Sequence, residues 1–195
     1  MAISYPLALP TNIGMASIEL RAKNTVAVSM SPFTYKQQTQ SYDGEMWEAD
    51  ISLPPMNRDD AETWISFLMS LKVMSGTFLL NDPSAKTVRG TATSAVITGA
   101  VGASSVGVVM TGTLKAGDYI QLGTASTSKL HKVLADVSAT GSVDIWPNLK
   151  ATYSSAAVVV DNAKGVFRLT SNVQDWQIGN SSTYGISFEA VEVIT

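Results

Sequence analysis

The chain has 195 residues, of which 45% are hydrophobic and only 15% are charged, whereas roughly 25% of the residues in soluble domains are charged. Its net charge of −3 and the lack of a basic cluster argue against sequence-independent nucleic-acid binding, which needs Lys and Arg gathered on one face. Cysteine is absent, which excludes disulfides, thiolate metal sites and cysteine catalysis. A chain so poor in charge suggests that other subunits cover part of its surface; the alternative is a monomer with a surface rich in Ser, Thr, Asn and Gly.

Neither membrane insertion nor export is predicted. The most apolar stretches, such as AAVVV at residues 156–160, are far shorter than the roughly 20 residues of a membrane span. The first residues, MAISYP, lack the basic start and the apolar run of a signal peptide. We therefore expect synthesis in a cytoplasm without a recognisable export signal.

The opening segment, to about Gly14, contains Pro6 and Pro10 and has no clear period. Because proline cannot donate to a sheet ladder, this pattern predicts an extended arm or a loop, which either docks on a neighbouring subunit or frays. From Ser17 onward apolar and polar residues alternate, which predicts half-buried strands with a turn at Lys23 and Asn24.

A hairpin is predicted from Tyr35 to Leu53, because Asp43 and Gly44 supply the positive φ angles of a tight turn. Its second strand has an apolar face, whereas its first strand has almost none. Such a polar strand is either an exposed edge or the lining of a wet surface. We take this hairpin as the candidate functional surface. Its residues are Lys36, Gln37, Gln38, Thr39, Gln40, Ser41, Tyr42, Asp43 and Gly44.

One amphipathic helix is predicted over about 57–74. Asn57 is a good N-cap, and Asp59 and Asp60 place negative charge in the first turn, where the helix dipole favours it. Gly76 is the predicted stop signal. Between the N-cap and this stop, apolar residues recur at spacings of three and four and form one stripe. They are Ala61, Trp64, Ile65, Leu68 and Leu71.

The composition changes after a strand at 77–80 and an Asn-Asp-Pro turn. Residues 84 to about 112 are rich in Ala, Gly, Ser, Thr and Val, which suits either thin β structure or a long mobile connection. Four further strands separated by turn signals are predicted at 118–122, 130–134, 143–146 and 157–160. Short strands at regular spacing predict a small barrel or sandwich.

Alternating strands return from Val166 and end in a hairpin that is expected to pair with the first sheet. The predicted fold class is therefore mainly β. One domain would comprise 1–83 plus 164–195 and carry the helix, and 84–163 would form an inserted small β domain.

The sequence supplies no catalytic constellation, and we expect no enzyme, no cofactor and no metal site. The single histidine, His131, lies in an alternating strand, where a surface or half-buried position is the commoner case. A Gly-x-Ser-x-Gly elbow, a Walker loop and the spacing of an EF-hand are all absent. The carboxylates lie around the hairpin or at turns and strand ends, where aspartate bonds local backbone N–H groups.

Aromatic residues could provide a platform for carbohydrate stacking. Trp47 and Trp64 fall on predicted core faces, so the core interpretation is favoured for them. Trp146, which precedes a proline at a strand end, and Tyr153 are the candidate exposed aromatics of the insert.

Four stretches carry a resemblance to a known group of proteins. They are GEMWEADISLPPM at 44–56, AETWISFL at 61–68, GTFLLNDP at 76–83 and YGISFEA at 184–190. Together with the order of the predicted elements, they resemble the phage distal tail proteins and the lambda-type minor tail proteins. The resemblance covers about half the chain, mainly residues 15–83 and 165–195.

This resemblance implies a tail-tube-like β-sandwich or split barrel with one flanking helix, assembled into a hexameric ring. The ring would continue the tail tube of a long-tailed phage and join it to the hub or baseplate. The implied partners are further copies of the chain, the tail tube protein and the hub or baseplate proteins. The implied location is the tail tip of the virion, after synthesis in the host cytoplasm, with DNA passing through the lumen without specific binding.

The predicted hairpin at 36–44 is expected near the lumen or at a seam between subunits. Exposed sheet edges readily make contacts between subunits, and a wall that DNA passes should avoid positive charge. One alternative function is a host-receptor or carbohydrate-binding tail accessory module that binds through the insert. Another is a capsid decoration or head-completion protein.

Overall fold

The described residues, 3–180 and 182–194 of the computed structural model, form a sheet that carries one α-helix and a closed barrel of six strands. In chain order the elements are β1 (Ser17–Met30), β2 (Gln37–Ser52), α1 (Arg58–Ser70), β3 (Phe78–Leu80), β4 (Ser94–Gly99), β5 (Ser105–Thr111), β6 (Thr113–Leu114), β7 (Tyr119–Leu122), a 3₁₀ turn (Ala125–Thr127), β8 (Lys129–Val133), β9 (Val137–Ser138), β10 (Gly141–Trp146), β11 (Tyr153–Val159), β12 (Gly165–Leu169), β13 (Trp176–Ile178) and β14 (Tyr184–Glu192). The prediction of a mainly β fold with one helix and a small barrel is confirmed.

The sheet has the order β1-β2-β14-β12-β3, and β13 pairs with β14. Its neighbouring strands are antiparallel, and α1 covers one face, where a second layer of a sandwich would lie. The core between helix and sheet is aromatic: Trp64 contacts Phe188, and Phe67 contacts Phe78, with ring centroids 6.2 and 5.8 Å apart. The predicted helix stripe is buried in full, so its period correctly predicted the packed face.

The helix is shorter than predicted. Asn57 caps its start, because its Oδ1 accepts a hydrogen bond from the backbone N–H of Asp60 at 3.0 Å. The helix ends at Ser70, six residues before Gly76, because Lys72 and Val73 adopt positive φ angles of 49° and 57°. Such angles are uncommon for a β-branched residue and could not be expected from the sequence.

Both turns predicted near the N-terminal hairpin are wrong. Asn24 pairs with Glu45, and Val26 pairs with Ser41, so Tyr42, Asp43 and Gly44 oppose Thr25 alone in a β-bulge. The two strands approach closely here, since a Cβ at position 44 would lie 2.7 Å from Thr25 Oγ1 and the Thr25 side chain would have to move. The chain reverses instead at residues 31–36, where the N–H of Ser31 donates to the carbonyl of Lys36 at 3.0 Å.

The barrel closes in the order β10-β5-β4-β11-β7-β8. The segment 84–112, for which two structures were predicted, forms β structure: β4 and β5 pair as a hairpin. Every second residue of β5 points into the barrel core, where Val106, Val108 and Met110 are buried, whereas Ser105 and Gly107 lie on the exposed side.

The barrel strands lie in the chain between β3 and β12, which pair with each other in the sheet. Tyr119 and Leu130 of the barrel and Ala163 beyond it belong to the hydrophobic core of the sheet. The division into domains at 83/84 and 163/164 therefore stays a prediction, since the two parts share buried side chains.

Gly76→Ala should destabilise the fold by about 1–3 kcal/mol, because the added methyl group overpacks a filled site. An added Cβ would lie 2.5 Å from the Leu71 carbonyl oxygen and 2.6 Å from the Tyr5 ring. Gly14→Ala is the matched control, since a Cβ there has no neighbour within 4 Å. Urea unfolding followed by tryptophan fluorescence measures both; equal midpoints for the two variants would contradict this packing.

Candidate functional site

The outer part of the β1–β2 hairpin extends beyond the sheet as a two-stranded ribbon. Here β1 pairs with β2 alone, from Val26 opposite Ser41 to Met30 opposite Gln37, because β14 pairs with β2 only between Glu48 and Ser52. Residues 32–44 and all of β1 beyond Leu20 are exposed. We call residues 25–44 the ribbon. Its five residue pairs, at about 3.4 Å each, give the paired part a length of roughly 17 Å.

The ribbon presents apolar side chains to solvent. Val26, Val28 and Met30 share one face and are 49%, 60% and 53% exposed. At the turn, Phe33 is 92% and Tyr35 is 72% exposed. An isolated two-stranded ribbon is marginally stable in water, and grouped exposed apolar side chains mark contact surfaces. The ribbon is therefore the best candidate for an interaction site.

The predicted site residues lie together on this ribbon, but in a different arrangement. Lys36 lies in the turn, and Gln37 to Gly44 belong to one continuous strand rather than to a hairpin of their own. The apolar half, contributed by β1 and the turn, was missed because its alternation is also typical of a half-buried strand. The polar sequence of the partner strand could have indicated this exposure. Two paired strands of which one is wholly polar cannot both bury a face against a core.

The face of the sheet opposite α1 is polar and forms a groove of about 580 Å³. Glu19, Asp50 and Glu189 lie side by side across β1, β2 and β14. Arg21 pairs with Asp50 at 2.6 Å, and Lys23 pairs with Glu48 at 2.7 Å. No group of three or more His, Asp or Glu side chains within 3–180 and 182–194 is arranged to hold a metal ion.

Other carboxylates accept hydrogen bonds from backbone N–H groups. Asp118 accepts hydrogen bonds from the backbone N–H groups of Arg89, Gly90 and Lys115 at 2.7, 3.3 and 2.8 Å. Glu45 accepts from the N–H of Asn148 at 2.6 Å. These contacts hold loops of the barrel in place, as expected for aspartate and glutamate beside turns.

Trp146 and Tyr153, the predicted exposed aromatics, are both half-buried. Trp146 packs edge-on against Trp47 with ring centroids 4.5 Å apart, and its Nε1 donates to Asn24 Oδ1 at 2.8 Å. Tyr153 is half-buried against the barrel core, and burial raises the pKa of its hydroxyl. The sequence did not reveal that the end of β10, with Trp146, meets the sheet, or that Tyr153 at the start of β11 packs on the barrel core.

His131 is also more buried than predicted, at 1% exposure. Its Nδ1 lies 2.7 Å from the carbonyl oxygen of Pro147, and its Nε2 has no hydrogen-bond partner among the described residues. Burial lowers its pKa to about 4, although the Pro147 carbonyl opposes this shift. The ring is therefore neutral at pH 7 and lies away from the solvent.

A second buried polar group lies where the sheet meets the barrel. Glu192 is 4% exposed and accepts a hydrogen bond from the backbone N–H of Trp47 at 3.1 Å. Lys129, also 4% exposed, donates to the carbonyl oxygen of Val193. Burial raises the pKa of Glu192 to about 7 and lowers that of Lys129. Glu192 shares the buried face of β14 with Phe188, and this period was the signal that could have found it.

No protein-family model matches the sequence, and no curated protein matches it at a significant level. Candidate functions therefore depend on the geometry described above and on the resemblance of the four stretches. No helix among the described residues is long and apolar enough to cross a membrane.

Glu192→Gln should make the free energy of unfolding fall more steeply with acid than in the wild type. In the folded protein the pKa of His131 is about 4, below its ordinary 6.5, so its stabilising effect is lost as the pH falls from 6.5 towards 4. The pKa of Glu192 is about 7, above its ordinary 4.5, so its effect has the opposite sign: stability rises as the pH falls through this range.

The two effects offset each other in the wild type. Without Glu192 the loss between pH 6.5 and 4.5 should be larger by about 2–3 kcal/mol, at about 1.4 kcal/mol for each unit of pKa shift. Urea unfolding at a series of pH values measures it, and Glu189→Gln, an exposed carboxylate of the same strand, is the matched control. Identical profiles of stability against pH for Glu192→Gln and the wild type would show that burial does not raise the pKa of Glu192.

Proposed function

We propose that this protein is a structural virion component of a long-tailed phage that forms a ring, a hexamer by resemblance, at the distal end of the tail tube. The ring joins the tube to the hub or baseplate. The observation that carries the proposal is the ribbon, which extends from the sheet with apolar side chains exposed along one face and at its tip.

A protein that works as a monomer gains nothing from such a ribbon. Ordering residues 25–44 costs conformational entropy, and within the described chain these residues bury little apolar surface in return. Contact with a second subunit would supply the missing burial at about 25 cal/mol per Å². If the ribbon meets a different surface on the next copy, as a ring requires, the contact is heterologous and closes when the rotation allows.

The charge of the ribbon suits a position near passing DNA. Between Thr25 and Tyr42, Lys36 is the only charged residue, so the ribbon offers almost no positive charge that would retain phosphates. This supports the placement of the ribbon at a seam between subunits or beside the lumen.

The resemblance at 15–83 and 165–195 supplies the rest of the proposal. The neighbours of the ring are the tail tube protein on one side and the hub or baseplate proteins on the other. Assembly takes place in the host cytoplasm, and the mature location is the tail tip. The alternative of a carbohydrate-binding module has less support, because the half-buried Trp146 and Tyr153 do not provide a stacking platform.

Replacing residues 25–44 by Asn-Gly should abolish ring formation and leave the fold intact. Asn24 and Glu45 are directly paired, so the two new residues close a tight hairpin without shifting the register. Light scattering and negative-stain microscopy should detect rings of the wild type and monomers of the shortened chain. Thermal unfolding should change by only a few degrees.

Two results would count against the proposal. Intact rings of the shortened chain would remove the ribbon from the assembly contact. A wild-type protein that stays monomeric at high concentration would contradict a ring built from this chain alone.

A further inference from the structure

The N-terminal segment and α1 form an apolar groove on the surface. Its volume is about 380 Å³, and its walls include Leu7, Ala8 and Pro10 on one side and Thr63, Ser66 and Phe67 on the other. A cavity of about 150 Å³ already admits a benzene ring, so this open groove can receive an aromatic side chain.

Backbone and side-chain hydrogen bonds hold the groove open in the single subunit. Leu7 donates to the Thr77 carbonyl and accepts from the N–H of Leu79, both at 2.9 Å. Tyr5 donates through its hydroxyl to the carbonyl of Ser70 at 2.7 Å. Asn12 donates to the Asp60 carboxylate at 3.0 Å. A groove fixed in this way requires no rearrangement to accept a ligand.

The groove and the ribbon lie at opposite edges of one sheet. Leu7 adds to the sheet beside β3, which is the last strand in the order β1-β2-β14-β12-β3. The ribbon continues from β1 and β2 at the other edge. Two different patches at opposite edges are the arrangement that a head-to-tail contact between copies needs.

The charges of the two patches are complementary. The ribbon tip carries Lys36, with no acidic residue between Thr25 and Tyr42. At the helix end of the groove, Glu62 pairs with Arg58 at 3.6 Å, whereas Asp59 is exposed and has no ion-pair partner among the described residues. Asp59 lies one helical turn before Thr63, a groove residue, and therefore on the same side of α1.

We propose that the ribbon tip of one subunit inserts Phe33 and Tyr35 into the groove between the N-terminal segment and α1 of the next subunit, with Lys36 facing Asp59. This inference rests on the proposed ring and names the surface that closes it. The tip supplies an exposed aromatic anchor, the groove supplies a preformed apolar pocket, and a charge pair at the rim fixes the orientation.

Because the chain has no cysteine, an engineered pair can test the contact directly. Thr34→Cys lies between the two aromatic residues without removing them, and Ser66→Cys lies in the groove wall. Under mild oxidation the double variant should give disulfide-linked multimers up to the size of the ring. Each single variant should give none beyond dimers, and Thr34→Cys combined with Ser104→Cys, an exposed residue beside the barrel, should give no ladder.

Charge reversal tests the orientation. Lys36→Glu should raise the concentration needed for half-assembly about tenfold, and adding Asp59→Lys should restore it to within about threefold of the wild type. Thermal unfolding of both variants verifies that each subunit remains folded.

The outcomes separate this inference from the proposed function. Rings of the double-cysteine variant without a disulfide ladder, or charge reversal without rescue, would overturn the docking contact and leave the ring in place. Failure of the wild type and of every variant to form rings would overturn the proposed function, and the docking contact with it.

Discussion

The antiparallel pairing of β1 with β2 is the interaction on which the rest of the structure depends. It extends from Ser17 opposite Ser52 to Met30 opposite Gln37, with one bulge at Thr25. On the sheet side of the bulge, β2 buries Trp47, Ala49 and Ile51 beneath the helix and beside the barrel. Beyond it, the same two strands leave the sheet and expose both faces. The same pair of strands therefore contributes to the core and forms the ribbon, and the bulge lies at the boundary between the two parts.

The base of the ribbon is held firmly by the barrel. Trp47 donates through Nε1 to the carbonyl of Leu130 at 2.9 Å, and Trp146 and Asn148 bond Asn24 and Glu45 on either side of the hairpin. These contacts fix the direction in which the ribbon leaves the sheet. The barrel, inserted between β3 and β12, can therefore position the ribbon.

Features that depend on neighbouring residues in the chain were predicted correctly from the sequence. The helix stripe, the cap at Asn57 and the short strands of the barrel followed from spacing and turn chemistry. Asp43-Gly44 was interpreted as a hairpin turn because this dipeptide favours positive φ, yet the long partner strand holds it in a bulge. The turn at 31–36 contains no glycine, and its signal is the Ser-Pro dipeptide at 31–32, which favours turn initiation. Burial of His131 and Trp146 depends on contacts between distant segments, which no local pattern contains.

In the proposed ring, another copy of the chain covers the ribbon. Hydrogen–deuterium exchange of the wild-type protein, measured by mass spectrometry over a range of concentrations, tests it most directly. Amides of residues 26–30 and 37–41 should exchange quickly in dilute protein and become protected as assembly proceeds, while the buried strands β12 and β14 stay protected throughout. Rapid exchange of the ribbon in the assembled protein would show that no other copy covers it.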